Sequence, residues 1–222
     1  MKLKLVLLTL LLMVGINKSF ALSITIKIVA SESDADIYQD GELMGKGTVM
    51  IKLISNTTST IVVKKMGFFD SKELLHNNSH YPKPEKIITI NLQKDDGFDA
   101  SITTDIANND IQVISKLAEE KTWKLISEIV YSYFDVVEIT DKSSGYLRTA
   151  WTVTNFSNYT IRTRIIVRIC SSENGLCYKV KLVSEKADQP NTSAKEDEKF
   201  KPWDRVLKKY SNFVQEIQSR VN

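Results

Sequence analysis

The sequence predicts an α+β protein that consists of a small all-β sandwich followed by a two-layer domain with an antiparallel sheet and a long C-terminal helix. Three patterns lead to this fold class. Short alternating runs broken by Gly, Asn and Asp fill the first part of the chain. Three longer alternating runs follow one another between Ser143 and Ser184, and apolar residues recur at helical spacing from Trp203 to Val221.

Residues 1–21 have the pattern of a secretory signal peptide. Two lysines precede an apolar run at 5–14, and small residues at Ser19 and Ala21 precede a cleavage point that we place after Ala21. The apolar run is too short to cross a bilayer as a stable helix, and no later run is long enough, so no transmembrane segment is expected after cleavage. An uncleaved N-terminal anchor is the alternative.

The charge balance argues against two classes of partner. Three of the 30 basic residues lie in residues 1–21, which leaves 27 basic residues against 27 acidic ones after cleavage. A net charge of zero gives no global attraction to nucleic acid or to anionic lipid. No nucleic-acid partner is therefore expected, and any electrostatic recognition must be local.

Residues 22–95 are expected to form the small sandwich. Alternation of apolar and polar residues predicts short strands that turn at Asp40-Gly41 and at Gly67, where glycine supplies positive φ. The predicted strands lie within the segments SITIKIV, DIYQDGELMGKGT, VMIKLI, TSTIVVKKMGFF and KIITINL.

The order of these strands and turns carries a family resemblance. The matching positions are Glu32–Ala35, Ile37-Tyr38, Asp40-Gly41, Gly45–Thr48 and Lys65–Phe68. In this pattern the segment resembles the PEGA domain family. The resemblance implies an extracytoplasmic, non-catalytic β-sandwich of the kind appended to bacterial envelope proteins, in which binding is common.

The second domain is expected to begin with a strand and a helix. A strand is predicted near Ser101–Ile106, a helix from about Ser115 to Phe134, and another strand at Asp135–Thr140. The charged segment Glu185–Lys201 is expected to be a solvated connection or the frayed lead of a helix. Pro202 then suits the first turn of the long C-terminal helix.

The three alternating runs predict an antiparallel meander with two unlike faces. One face is apolar and should be the core, formed by Leu147, Trp151, Val153, Ile161, Ile165, Val167, Ile169, Tyr178, Val180 and Leu182. The opposite face is basic and carries Arg148, Arg162, Arg164, Arg168, Lys179 and Lys181.

A disulfide between Cys170 and Cys177 is also expected. The two cysteines share the phase of the basic residues, and an exported protein reaches an oxidising compartment. A two-residue turn at Asn174-Gly175 would place Ser172 opposite Cys177, so direct pairing requires a longer loop. Redox catalysis would need closer cysteines, and zinc would need two further ligands.

The core and strand patterns of residues 96–222 carry a second resemblance. They lie at Trp123–Phe134, Gly145–Trp151, Arg162–Arg164, Tyr178–Val180 and Trp203–Tyr210. In these segments the domain is similar to the helix-grip domains of BamC-like envelope proteins. The resemblance implies a cell-envelope protein with helices on one face of its sheet.

No enzymatic activity is expected. The sequence has no Gly-x-Ser-x-Gly, no phosphate-binding loop and no usable Cys–His pair. His76 and His80 flank Asn-Asn-Ser, which favours a loop over a metal-binding helix face. We therefore predict neither a cofactor nor a metal.

The basic face is the candidate partner-binding surface, and the alternative is a solvated face whose charges pair with nearby acids. The predicted function is that of a non-catalytic binding or assembly module, exported to the periplasm or cell surface of a bacterium. Its partner would be an envelope protein or a surface glycan. Two other functions stay open: a carbohydrate-binding, accessory or inhibitory subunit of an envelope hydrolase, and a small-ligand carrier with a pocket under the C-terminal helix lined by Trp123, Trp151 and Trp203.

Overall fold

A computed structural model describes residues 22–173 and 175–221. The predicted signal peptide, 1–21, lies outside the described residues, and so does Asn174 of the predicted turn. The chain divides into two compact units, one ending at Lys94 and the next beginning at Asp95. Among the described residues, no helix is both long and apolar enough to cross a membrane.

The first unit contains two sheets that form a sandwich-like arrangement, as predicted. Its strands are β1 (Ser23–Ala30), β2 (Asp36–Gln39), β3 (Glu42–Lys46), β4 (Thr48–Ile54), β5 (Thr57–Lys64), β6 (Ser71–Asn77) and β7 (Ile87–Ile90). One sheet has the order β4-β1-β7 and the other β3-β2-β5-β6. Strand β7 runs parallel to β1, and the remaining pairs are antiparallel.

The core of the first unit follows from the alternation in its sequence. Every second residue of β1, β4 and β5 is buried, and the buried side chains form a cluster that includes Ile26, Ile28, Ile37, Ile51, Leu53, Ile61 and Val63. The predicted turn at Asp40-Gly41 joins β2 to β3, and both residues have positive φ, 52° and 90°. His76 lies in β6 rather than in the expected loop.

The second unit contains three short helices and nine strands in its described part. They are α1 (Asp96–Asp99), β8 (Ser101–Thr103), β9 (Asp110–Ser115), α2 (Glu119–Tyr133), β10 (Val137–Asp141), β11 (Tyr146–Thr149), β12 (Thr152–Asn155), β13 (Thr160–Cys170), β14 (Leu176–Ala187), β15 (Lys201–Pro202), β16 (Arg205–Leu207) and α3 (Phe213–Val221).

Two long strands, β13 and β14, form the centre of a seven-stranded antiparallel sheet. They pair continuously from Thr160↔Ala187 to Cys170↔Cys177. On the other side of β13, β11 and β12 pair with its two halves, and β10 pairs with β11. On the other side of β14, β9 and β15 pair with its two halves. Each central strand is therefore flanked by two short ones.

Helices α2 and α3 pack on the apolar face of this sheet. The ring of Trp123 on α2 lies 6.1 Å from that of buried Tyr178 on β14. Phe134 after α2 stacks on Tyr210 at 4.9 Å, and Phe213 of α3 meets Phe134 edge to face. These aromatic contacts place α2, the segment after it and α3 in one core.

The predicted α+β fold class with a long C-terminal helix is wrong. The described protein is mostly β-structure, and the C-terminal helix comprises only Phe213–Val221. The residues before it form β15, β16 and a short 3₁₀ turn instead. Pro202 lies in an edge strand, where its missing N–H costs no ladder hydrogen bond.

Tertiary contacts explain why residues 203–210 are not helical. Strand β16 pairs with β8, and Arg205 donates to the Ser101 and Thr103 hydroxyls and to the Phe98 and Ser101 carbonyls. Val206 and Leu207 are neighbours in sequence and both are buried. Since successive side chains of a strand point to opposite faces, this strand is covered on both sides. Spacing alone did not distinguish this arrangement from a helix.

Two other expectations need correction. Helix α2 begins at Glu119 and not near Ser115, because residues up to Ser115 belong to β9 and pair with β14. The segment between β14 and β15 is not a solvated connection throughout. Thr192 is buried and its backbone N–H donates to the Thr160 hydroxyl, while buried Phe200 packs against the sheet.

Candidate anion-binding face

The register of the sheet places all six predicted basic residues on the face opposite the helices. Leu147, Ile165, Val167, Val180 and Leu182 are fully buried on the core face. Arg168 is paired with Lys179, and Ile166 lies between Arg148 and Lys181. We call the surface formed by these cations the basic face, and it consists of Arg148, Arg162, Arg164, Arg168, Lys179 and Lys181.

A β-bulge at Ala150-Trp151 changes the predicted faces of two residues. Arg148 pairs with Ile166 and Thr152 with Thr163, so four residue steps on one strand correspond to three on the other. The extra residue reverses the alternation. Trp151 therefore stacks against arginines of the basic face, and Val153 pairs with Arg162, although both were predicted to lie in the core. Ile169, also predicted in the core, is 44% exposed.

Arg162 is buried and its charge is neutralised. It is 4% exposed, its guanidinium lies 2.6 Å from the Glu185 carboxylate and 2.5 Å from that of Asp197, and it donates to the Ala194 carbonyl. The same group lies 4.2 Å from the ring of Trp151 and 4.1 Å from that of Phe200. A partner has no access to it, so Arg162 has a structural role.

Two further arginines of the basic face form ion pairs near the surface. Arg148 donates to Glu138 at 3.0 Å, and Arg168 pairs with Asp110. Such exposed pairs are typically worth about 0–1 kcal/mol. A partner that offers a better carboxylate can therefore compete for these arginines.

Arg164 differs from the other three arginines. Its guanidinium stacks 4.0 Å above the ring of Trp151, and its Nε is buried with no hydrogen-bond partner. Within the described part of the chain it forms neither an ion pair nor a side-chain hydrogen bond. Burial lowers the pKa of Arg164, and the positive charge of Arg148 lowers it further. Its charge therefore lacks a direct ion-pair partner among the described residues.

A surface pocket of about 480 Å³ lies beside Arg164. We call it the Arg164 pocket, and its lining residues are Glu138, Ala150, Trp151, Arg164, Ala194, Lys195 and Asp197. Both acids of its wall already pair with other arginines, Glu138 with Arg148 and Asp197 with Arg162. Two cations of the pocket, Arg164 and Lys195, form no ion pair with any described residue, which favours an anionic ligand.

Lys179 and Lys181 extend the uncompensated charge along β14. Both are partly exposed, and in the ranges 22–173 and 175–221 neither has a carboxylate within ion-pair distance. Lys181 lies two residues before Val183, which is the register partner of Arg164. On one sheet face, Arg164 of β13 and Lys181 and Lys179 of β14 are thus three cations without an ion pair in the described chain.

The three tryptophans do not line a common slot. Trp123 packs on Tyr178 in the core, Trp151 lies against arginines of the basic face, and the ring of Trp203 contacts that of Tyr159 at 6.4 Å. The ligand-carrier alternative depended on one cavity shared by these rings. Their separation removes that basis.

The predicted disulfide between Cys170 and Cys177 is present. The two residues are direct register partners at the end of β13 and β14, with Cα atoms 5.0 Å apart. The loop between them is therefore longer than a two-residue turn, as direct pairing requires. The bond ties together the two central strands at the end of the sheet remote from the Arg164 pocket.

The histidine pair has local structural contacts. The ring of His76 stacks on Tyr81 at 3.9 Å and its Nδ1 lies 2.8 Å from the Thr58 hydroxyl, whereas the backbone N–H of His80 donates to Asn78. In the part of the chain that the structure describes, no cluster of three or more His, Cys, Asp or Glu side chains is arranged to hold a metal.

Comparison with known proteins adds no assignment. A scan against protein-family models finds no match, and a search of curated proteins finds none either. The resemblances to the PEGA family and to BamC-like domains therefore stay predictions.

Proposed function

We propose that this protein is a non-catalytic, exported binding module whose basic face docks on an acidic surface of another cell-envelope protein. The observation that carries the proposal is the charge imbalance on that face. Arg164, Lys179 and Lys181 lack carboxylate partners in the described chain, whereas the other three cations have them. Complementary charge on a partner would compensate them.

Two features support export. Residues 1–21 have the pattern of a signal peptide, and the Cys170–Cys177 disulfide is typical of proteins that reach an oxidising compartment. A sheet face on which the partly exposed Ile166 lies among cations is also typical of protein interfaces, where apolar contact and charge occur together. A bacterial periplasm or cell surface fits these features.

A binding function also agrees with the chemistry of the pocket. The groups at the Arg164 pocket are guanidinium, ammonium and ion-paired carboxylates, with no hydroxyl or thiol nucleophile beside a base. Such groups can recognise and orient an anion. The proposed role therefore involves recognition without a chemical step.

Capture from the protein's own cell envelope tests this function. We would crosslink tagged residues 22–222 to neighbouring proteins and compare the wild type with Lys179→Glu/Lys181→Glu. The matched control is Lys121→Glu/Lys124→Glu, which reverses two exposed charges on α2, across the sheet from the basic face.

We expect one envelope protein with an acidic segment to be recovered by the wild type and by the control. Its recovery should fall at least tenfold with the basic-face variant, because two attractive contacts become repulsive. Equal recovery by all three folded proteins would contradict the proposal.

A further inference from the structure

We propose that the Arg164 pocket is a carboxylate site that accepts one acidic side chain of the partner. The inference rests on the proposed binding function and adds the chemical group that is recognised and the residue that recognises it. The guanidinium of Arg164 is partly buried beside a pocket and has no carboxylate partner in the described chain.

The orientation of Arg164 is fixed before any ligand binds. Its guanidinium carbon lies 4.0 Å from the centre of the Trp151 ring, which the bulge at Ala150-Trp151 directs onto the basic face. A planar guanidinium held in this way presents its N–H groups as a fork that matches the two oxygens of a carboxylate. Less conformational entropy is then lost on binding than with a free arginine side chain.

The charges around the pocket favour a single negative charge. Glu138 and Asp197 lie in the wall and already pair with Arg148 and Arg162. Attraction and repulsion both grow in proportion to the charge of the ligand, whereas the cost of removing that charge from water grows more steeply and weighs more on a dianion such as phosphate. Arg164 and Lys195 provide the attraction. A carboxylate balances these terms better than a phosphate group.

The shape and lining of the pocket suit a short side chain. Ala150 and Ala194 provide small apolar contacts for the methylene groups of Asp or Glu, and the volume of about 480 Å³ admits a side chain with part of its backbone. Beyond the pocket, Lys181 and Lys179 continue the positive surface for further contacts. We therefore assign the carboxylate to a protein partner rather than to a free metabolite.

Nuclear magnetic resonance of the arginine side chains tests this assignment. The protein, 22–222, would carry ¹⁵N-labelled arginine, and the Nε–H signal of Arg164 would be identified by its absence in Arg164→Lys. The probes are the capped tripeptides acetyl-Gly-Glu-Gly-amide and acetyl-Gly-Gln-Gly-amide, inorganic phosphate and methyl glucuronide, each at constant ionic strength.

We expect the Glu peptide to shift the Arg164 signal in a saturable way, with the Gln peptide and phosphate at least fivefold weaker and the Arg162 signal unchanged. Equal shifts with the Glu and Gln peptides would overturn the inference. Tighter binding of phosphate would contradict the preference for a monoanion, and tighter binding of the glucuronide would reassign the site to an acidic sugar.

The two proposals fail in different ways. If the Glu peptide leaves Arg164 unaffected while capture of the partner still depends on Lys179 and Lys181, the carboxylate site is wrong and the binding module stands. If the Glu peptide saturates the site and no envelope protein is captured, the site stands and the protein partner is wrong.

Discussion

Two arginines separated by a single residue of β13 have opposite roles. Arg162 is buried between two aromatic rings with two carboxylate partners, whereas Arg164 shares one of those rings and has no carboxylate partner in residues 22–173 and 175–221. Both are positive, and both point to the same face. Their difference comes from the segment after β14, which brings Asp197 and Phe200 over Arg162.

This contrast predicts that replacing the two arginines lowers the stability by very different amounts. Arg162→Ala should lower the free energy of unfolding by about 3 kcal/mol, because it leaves the carboxylate of Glu185, which is only 20% exposed, without its partner. The contribution of Asp197 is small since its side chain is 80% exposed. Arg164→Ala should change stability by less than about 1 kcal/mol, because it breaks no ion pair. Urea denaturation of both variants measures the difference, and similar losses in the two would contradict these roles.

Tyr159 predicts a dependence of stability on pH. Its hydroxyl donates to Asp95 at 2.6 Å, and burial, followed by this carboxylate, raises its pKa. Tyrosine in an unfolded chain titrates near pH ~10. Because the folded pKa is higher than the unfolded one, the stabilisation is complete below about pH 10 and is lost as the pH rises through the folded pKa.

The variant Tyr159→Phe should therefore lose stability less steeply than the wild type between pH 9 and pH 11 (about one unit on either side of the unfolded pKa). Some dependence should remain, because the pKa values of Tyr133 and Tyr178 are raised as well. The free energy of unfolding at several pH values gives the slopes. Identical slopes would show that the Tyr159–Asp95 hydrogen bond does not control this titration.

Among the single elements, the alternation of apolar and basic residues correctly predicted the two central strands. The helical spacing of apolar residues near the C-terminus led to the wrong prediction of a long helix. The pattern of β13 and β14 is unambiguous, because apolar and basic residues alternate over a long run. The apolar residues of the segment 203–210 recur at helical spacing, but the same spacing also occurs in the edge strand and turn that they form. These residues are Trp203, Val206, Leu207 and Tyr210. Only the contacts of Arg205 with the β8 region decide between the two, and those contacts are distant in sequence.

The candidate site was also only partly predictable. Its basic residues follow from the alternation, but the bulge that directs Trp151 to Arg164 adds one residue without any change in composition. The burial of Arg162 depends on residues 194–200, which as a sequence look like a charged connection. Neither the bulge region, 148–152, nor the segment 194–200 contains a glycine or proline that would indicate its conformation.

The disulfide makes a prediction about β13 and β14. Replacement of both Cys170 and Cys177 by serine should lower the free energy of unfolding by about 2–3 kcal/mol, because the bond closes a short loop in the unfolded chain. The fold should persist, since the two strands remain paired along their length. Chemical denaturation, with circular dichroism as a check of structure, measures both effects. Unchanged stability, or loss of the sheet, would contradict this account.

At the scale of the whole molecule, the chain divides into two units that each have their own core. Residues 22–94 contain the isoleucine-rich core of the first unit, and residues 95–222 contain the sheet with its helices and the basic face. We expect each fragment to fold when produced alone, with a cooperative unfolding transition of its own. Calorimetry of the two fragments tests this, and an unfolded fragment 95–222 would show that the second unit depends on the first.

Residues 95–222 should also retain the whole binding activity, because all cations of the basic face belong to this fragment. Capture of the envelope partner by the fragment should match that of 22–222 within about twofold, which corresponds to ~0.4 kcal/mol. A large loss in a correctly folded fragment would place part of the binding surface in the first unit.

Site-specific photo-crosslinking can identify the protein that contacts the basic face. A photoreactive residue would replace Ile166, which is partly exposed between Arg148 and Lys181 on the basic face, and in a control it would replace Lys121 on α2. We expect adducts from position 166 and none from position 121. They should form with one envelope protein, through a segment that contains Asp or Glu, and should be lost when Arg164→Glu is added. Adducts that persist with Arg164→Glu, or equal adducts from position 121, would contradict the claim that this face binds an acidic partner.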